Sequence, residues 1–193
     1  MKNLLASLTF ATLANVAVAD TKPFNLSLTP DIALQNRADS IHGVTLSIWG
    51  ENQQKSLALG IVNGSNGDSG GLSIGLLNYA KNSTGVQWGL VNSVSGNFKG
   101  WQDGWVNSVS GDFTGWQDGL FNYTGGEMHG LQSGWFNCAG KLRGVQFGLV
   151  NYAKTVSDGV QVGLLNLIPQ NAAWFTDLPD SVAPGMLFVN WRF

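Results

Sequence analysis

The stretch Gly100-Trp101-Gln102-Asp103-Gly104-Trp105-Val106-Asn107 returns fifteen residues later as Gly115-Trp116-Gln117-Asp118-Gly119-Leu120-Phe121-Asn122. Working outward from this pair, the phrase G-x-Q-x-G-x-x-N occurs six times at a spacing of 14 or 15 residues. Its glutamines are Gln87, Gln102, Gln117, Gln132, Gln146 and Gln161, and its closing asparagines are Asn92, Asn107, Asn122, Asn137, Asn151 and Asn166. Two degenerate copies precede them, LALGIVNG and LSIGLLNY, with Ala58 and Ser73 in the glutamine position. So short a period means one supersecondary unit repeated about eight times, hence an array and not a conventional globule.

Within each copy, alternate residues separate by type. One set is bulky and mostly apolar (Val86, Trp88, Leu90; Trp101, Asp103, Trp105; Trp116, Asp118, Leu120), and the other is glycine, glutamine, glycine. Period-two alternation marks strands with unlike faces, whereas this many glycines inside a helix would cost about 1 kcal/mol each. The chain is expected to be all-β, in one repeat-built domain over 20–193. About eleven strands are expected, near 24–34, 41–49, 56–63, 70–78, 85–92, 99–107, 114–122, 129–137, 143–151, 158–166 and 185–193. Segments such as SVSGN, SVSGD and YTGGE read as hairpin turns, because glycine beside Asn or Asp supplies positive φ. The asparagine row reads as strand-ending turn residues.

Two architectures accept this pattern. The leading expectation is an up-and-down antiparallel transmembrane β-barrel of about 10–12 short strands. Its large apolar residues would face lipid, and Gln87, Gln102, Gln117, Gln132, Gln146 and Gln161 would line the lumen. Tyr79, Tyr123, Tyr152, Trp191 and Phe193 would be rings at the membrane interface. The alternating Val189, Trp191, Phe193 ending resembles the C-terminal signal of bacterial outer-membrane barrels. The alternative is a β-solenoid of 14–15-residue coils whose strands stack in parallel. Against the barrel stand Asp103 and Asp118, which would face lipid at about 1–3 kcal/mol each, and the look of single-strand duplication.

Residues 1–19 read as a signal peptide, with Lys2, an apolar stretch to Val18 and Ala17-Val18-Ala19 as a cleavage site. Export to the outer membrane or surface of a Gram-negative-type cell is expected. Outer-membrane lipid and the barrel-assembly machinery would be the partners, and a structural role or a small-solute pore the function. Under the solenoid alternative, the function becomes surface adhesion or binding. Charged residues make up 11% and the net charge is −2, less than half the charge content usual in soluble domains and without the basic patch nucleic acid requires.

No enzymatic, cofactor or metal constellation is visible. Cys138 stands alone, and His42 and His129 each precede a glycine at the start of a strand. The Asp103 and Asp118 pair lacks a third oxygen-rich partner.

The G-x-Q-x-G-L-x-N phrase, the opening FNLSLTPDIAL and the closing FVNWRF together resemble a family of bacterial surface-repeat proteins. The resemblance implies exposure at the cell envelope and carries no established activity. Short chains of this look are sometimes labelled polyhydroxyalkanoate synthases. Those resemble α/β-hydrolases with a nucleophilic cysteine in a G-x-C-x-G elbow; here Cys138 lies in FNCAG, where Phe136 replaces the first glycine.

Overall fold

The computed structural model describes residues 20–193, so the expected signal peptide at 1–19 lies outside the described residues. The fold is all-β, 75% strand, and it is a β-solenoid of about seven turns. The strands are β1 (Thr21–Thr29), β2 (Ile32–Ala33), β3 (Ser40–Gly50), β4 (Gln53–Gln54), β5 (Leu57–Gly64) and β6 (Asp68–Ile74). They continue with β7 (Leu77–Ala80), β8 (Asn82–Trp88), β9 (Val91–Val94), β10 (Phe98–Val109), β11 (Phe113–Leu167) and β12 (Gly185–Arg192).

Each coil contributes two extended segments joined at a bend. The first segments stack as one parallel ladder: β6 on β8, β8 on β10, β10 on the start of β11. The second segments stack as another: β7 on β9, then β9 on the end of β10. β10 and β11 carry both segments through the bend without a break, and β11 winds on to Leu167. Register repeats the sequence, with Gln87 beside Gln102, Gln102 beside Gln117, and Asn92 beside Asn107.

This overturns the barrel. Neighbouring coils run parallel, so they cannot be the up-and-down strands of a barrel wall, and there is no lumen for the glutamine row to line. The half-repeat around each glutamine is nearly palindromic and would suit either strand direction, but the asparagine sits at one end only. An antiparallel neighbour would separate successive asparagines, whereas a parallel one stacks them. The segments expected as hairpin turns partly carry strand: Ser93–Val94 and Ser108–Val109 continue the second ladder, and Tyr123–Glu127 lies wholly within β11. A 15-residue unit therefore makes one full coil and not a strand plus a hairpin.

Inside, the amides form two continuous ladders. Nε2 of Gln102 donates to Oε1 of Gln87, and the contact repeats through Gln117, Gln132, Gln146 and Gln161 at 2.7–2.9 Å. The second amide proton crosses the coil, from Gln132 to the Cys138 carbonyl and from Gln146 to that of Tyr152. Asparagines stack likewise from Asn63 through Asn166. All but the last also donate to a carbonyl at the bend of the next coil, as Asn107 to Asp118 and Asn122 to Ser133; Asn166 donates to Gly163 in its own coil. Buried amides are tolerable only when their donors and acceptors are met, and parallel stacking meets them along the row until its last member, Gln161, whose Oε1 has no partner.

The glycines permit this stacking. Gly100 has φ +140°, and a Cβ added there would lie 1.9 Å from the Gly85 carbonyl oxygen. At the bend, a Cβ on Gly119 would meet the Gly104 oxygen, also at 1.9 Å.

The apolar core is displaced to the other side of the coil. Val94, Phe98, Val109, Phe113, Met128, Leu142, Val156 and Ile168 form one buried cluster beside the polar turns, with Phe98 and Phe113 stacked at 5.3 Å.

Both ends of the stack are modified. β12 pairs antiparallel with the last coil, setting Asn190 against Gln161 and Trp191 against Val160. At the other end β1 lies parallel on β3, and β2 folds back antiparallel on β1. A solenoid needs such caps because an open ladder end is a template for further strands.

Candidate functional site: the outward aromatic face

Because the amides point inward, alternation sends the bulky set outward. On the first ladder, three outward columns lie side by side. The outer one carries Thr84, Lys99, Thr114, His129 and Arg143; the middle one Val86, Trp101, Trp116, Leu131 and Val145; the inner one Trp88, Asp103, Asp118, Ser133 and Phe147. Along the bend runs a ridge formed by Leu76, Leu90, Trp105, Leu120, Trp135, Leu149 and Leu164. Trp88, Trp105 and Trp135 are 56%, 62% and 56% exposed, against 0% for Gln102 to Gln161. Polar residues gather on the opposite edge, where Asp68, Asn82, Asn97, Asp112, Glu127 and Lys141 are linked coil to coil by side-chain hydrogen bonds. The cross-section is therefore amphipathic, with a polar edge facing an apolar ridge.

The aromatic columns are ordered. Trp101 and Trp116 stack with centroids 5.4 Å apart and planes 10° apart. On the second ladder, Phe121 and Phe136 stack at 5.0 Å and 4°. Rings stacked along the column turn their faces toward one another, so this pair presents ring edges outward. A flat platform for a sugar ring needs an outward face, and Trp101 and Trp116 do not provide one.

Set into this surface are two carboxylates. Asp118 accepts a hydrogen bond from Oγ of Ser133 at 2.5 Å, and Ser133 Oγ accepts one from Nε1 of Trp116 at 2.9 Å. Asp103 lies one coil away in register with Asp118. Its pKa is raised, first by burial among the aromatic neighbours and then by the charge of Asp118. Neither aspartate forms an ion pair among the described residues. Beside them, Ile74, Leu76, Trp88, Leu90, Asp103 and Trp105 line a shallow open groove.

The other expected site residues are scattered. The six glutamines fill a closed interior. Tyr79 is half-buried; its hydroxyl donates to Glu51 at 2.8 Å and accepts from Nε1 of Trp49 at 3.2 Å. Burial is the main cause of its raised pKa. Arg37 pairs with the same Glu51 carboxylate. Tyr123 and Tyr152 lie on the outer side of the second ladder, and Tyr123 is exposed. Trp191 donates to the Pro179 carbonyl from β12, and Phe193 is exposed beyond it. With no barrel, these five rings mark no barrel girdle.

Cys138 is half-buried and its thiol pKa is raised by burial, the opposite of an activated nucleophile. His42 and His129 lie roughly six coils apart, about 29 Å at ~4.8 Å per parallel rung. Among the described residues, no group of three or more His, Cys, Asp or Glu side chains is placed to hold a metal.

Where the small residues Thr45, Ala58 and Ser73 precede the glutamine ladder, they leave an interior pocket of about 20 Å³ bounded also by Asn63, Tyr79 and Gln87. It has room for a single water and no larger ligand. No family model, no curated protein and no solved structure matches the chain.

Proposed function

We infer that the chain is an exported, non-catalytic β-solenoid acting as a surface adhesion or binding module through its tryptophan-rich outer face. The observation that carries this reading is the inversion of the coil: amides inside, and Trp88, Trp101, Trp105, Trp116 and Trp135 outside. Evenly repeated apolar side chains that no element among the described residues covers are costly to leave in water, and contiguous exposed patches of this kind mark interaction surfaces. Export rests on the signal-like residues 1–19. Parallel coils replace the antiparallel wall, so the solenoid encloses no pore among the described residues.

Retention of purified protein on isolated Gram-negative envelopes tests the reading. The expected result is saturable retention, lost when Trp101, Trp105 and Trp135 are all replaced by Ser. Equal retention of the triple variant, or none by the wild type, removes the proposal.

A further inference from the structure

The occupant of the outward face can be narrowed, given the reading above that this face is a binding surface. We propose that it is a second copy of this chain, laid face to face about a two-fold axis that runs along the solenoid through the Trp101–Trp116 column.

Register gives the first argument. Lys99, Trp101 and Asp103 alternate on one strand and all point outward. A two-fold axis parallel to the coil stack and centred on Trp101 keeps each coil level with its own equivalent and exchanges the columns on either side. Lys99 of one copy then meets Asp103 of the second copy, and the reverse pair forms by symmetry. The same operation sets Arg143 over the second copy's Phe147, a cation–π geometry, and Thr114 over its Asp118. Trp101 and Trp116 fall on the axis itself, at the centre of the contact, where large aromatic side chains contribute most to binding.

Charge gives the second argument. Asp103 and Asp118 are carboxylates set in an apolar face without a cation of their own. A hydrocarbon surface would leave them unpaired at a cost. A second copy supplies Lys99 to Asp103 at the same level of the stack, while Asp118 meets the second copy's Thr114 hydroxyl and keeps its hydrogen bond from Ser133.

Area gives the third. The first ladder is about eleven strands deep at ~4.8 Å each, and the face the two copies share about the Trp101 axis is roughly 13 Å wide, from the Lys99 column to the Asp103 column. That is on the order of 700 Å² of flat surface, close to the about 800 Å² per partner of a standard stable interface.

Sedimentation equilibrium on the folded mature chain tests the proposal, with Lys99→Glu, Asp103→Lys and the double exchange compared at equal folded fraction. A reversible dimer is expected, weakened at least about tenfold in Kd by either single reversal and restored to within about threefold in the double exchange. Should Asp103→Lys fail to fold, Lys99→Glu with Asp103→Asn as its neutral counterpart decides the same point, because Lys99 is exposed. A wild type that stays monomeric yet binds neutral phosphatidylcholine vesicles overturns the self-pairing and assigns the face to lipid, leaving its role as a binding surface intact. A monomer that binds neither vesicles nor envelopes overturns both readings. A dimer indifferent to both reversals and to the exchange overturns the proposed register and with it the proposal.

Discussion

Gln132 donates from Nε2 to Oε1 of Gln117 at 2.7 Å, and its own Oε1 accepts from Gln146 at the same distance. Gln102, Gln117, Gln132 and Gln146 are each both donor and acceptor in one line along the stack. The line exists only if adjacent coils run the same way and in register, so the stability of the fold and its topology rest on the same contacts.

Gln132→Leu tests the ladder. It leaves the Gln146 amide without its acceptor and the Cys138 carbonyl without its donor. Each stranded buried group costs about 1–3 kcal/mol, so urea unfolding is expected to show a loss of about 3 kcal/mol or more. A change under 1 kcal/mol would mean that the interior amides are dispensable.

Glycine substitutions should divide sharply by position. Gly119→Ala drives a methyl into the Gly104 backbone, whereas a Cβ on Gly70 comes no nearer than 3.3 Å to the Thr84 oxygen. Thermal melts are expected to show Gly119→Ala poorly folded and Gly70→Ala close to wild type. Equal tolerance at both sites would contradict the close approach of coils at the bend.

Asp103 gives a pH signature. Its pKa is raised in the folded state, so the native protein holds this proton more tightly than the unfolded chain does. Its contribution to stability is fully present below the unfolded carboxylate pKa and is lost as pH rises through the folded pKa. Asp103→Asn should therefore be more stable than wild type at neutral pH, with the difference vanishing in acid below the unfolded pKa. Carboxylate titration followed by NMR should also show Asp118→Asn lowering the Asp103 pKa toward its ordinary range. No movement would separate the two side chains.

The outer tryptophans should be open to solvent in the isolated monomer. Acrylamide is expected to quench most of the fluorescence of folded protein at low concentration, and less at concentrations where copies pair. Strong protection in dilute monomer would place these rings inside the coil.

Much of this was legible in the sequence. The period, the all-β class and the pairing of like residues follow from six near-identical phrases, and alternation separated the Trp column from the Gln row. Strand direction was not legible, because Phe98-Gly100-Gln102-Gly104-Val106 along one face reads alike in both senses. Ser93 and Val94 look like turn residues because Ser and Gly follow them, yet they extend the second ladder and Val94 points into the core. The Asp103 and Asp118 pair weighed against lipid from the start, and the structure places both outward among aromatics. The proposed contact of Asp103 with Lys99 of a second copy is not legible in the sequence, since it requires knowing that one coil lies level with its copy.

Parallel stacking is tested most directly by the native Cys138 together with Tyr123→Cys. The register that sets Ser108 beside Tyr123 sets residue 123 beside residue 138 one coil on, within the roughly 4.4–6.8 Å between Cα atoms that a disulfide spans. Intact mass after mild oxidation of folded monomer is expected to show loss of two hydrogens, with peptide mapping joining positions 123 and 138. In antiparallel strands levelled on Gln117 and Gln132, the two positions would lie about 40 Å apart along the strands. A folded monomer whose two thiols stay free under the same oxidant would contradict the solenoid.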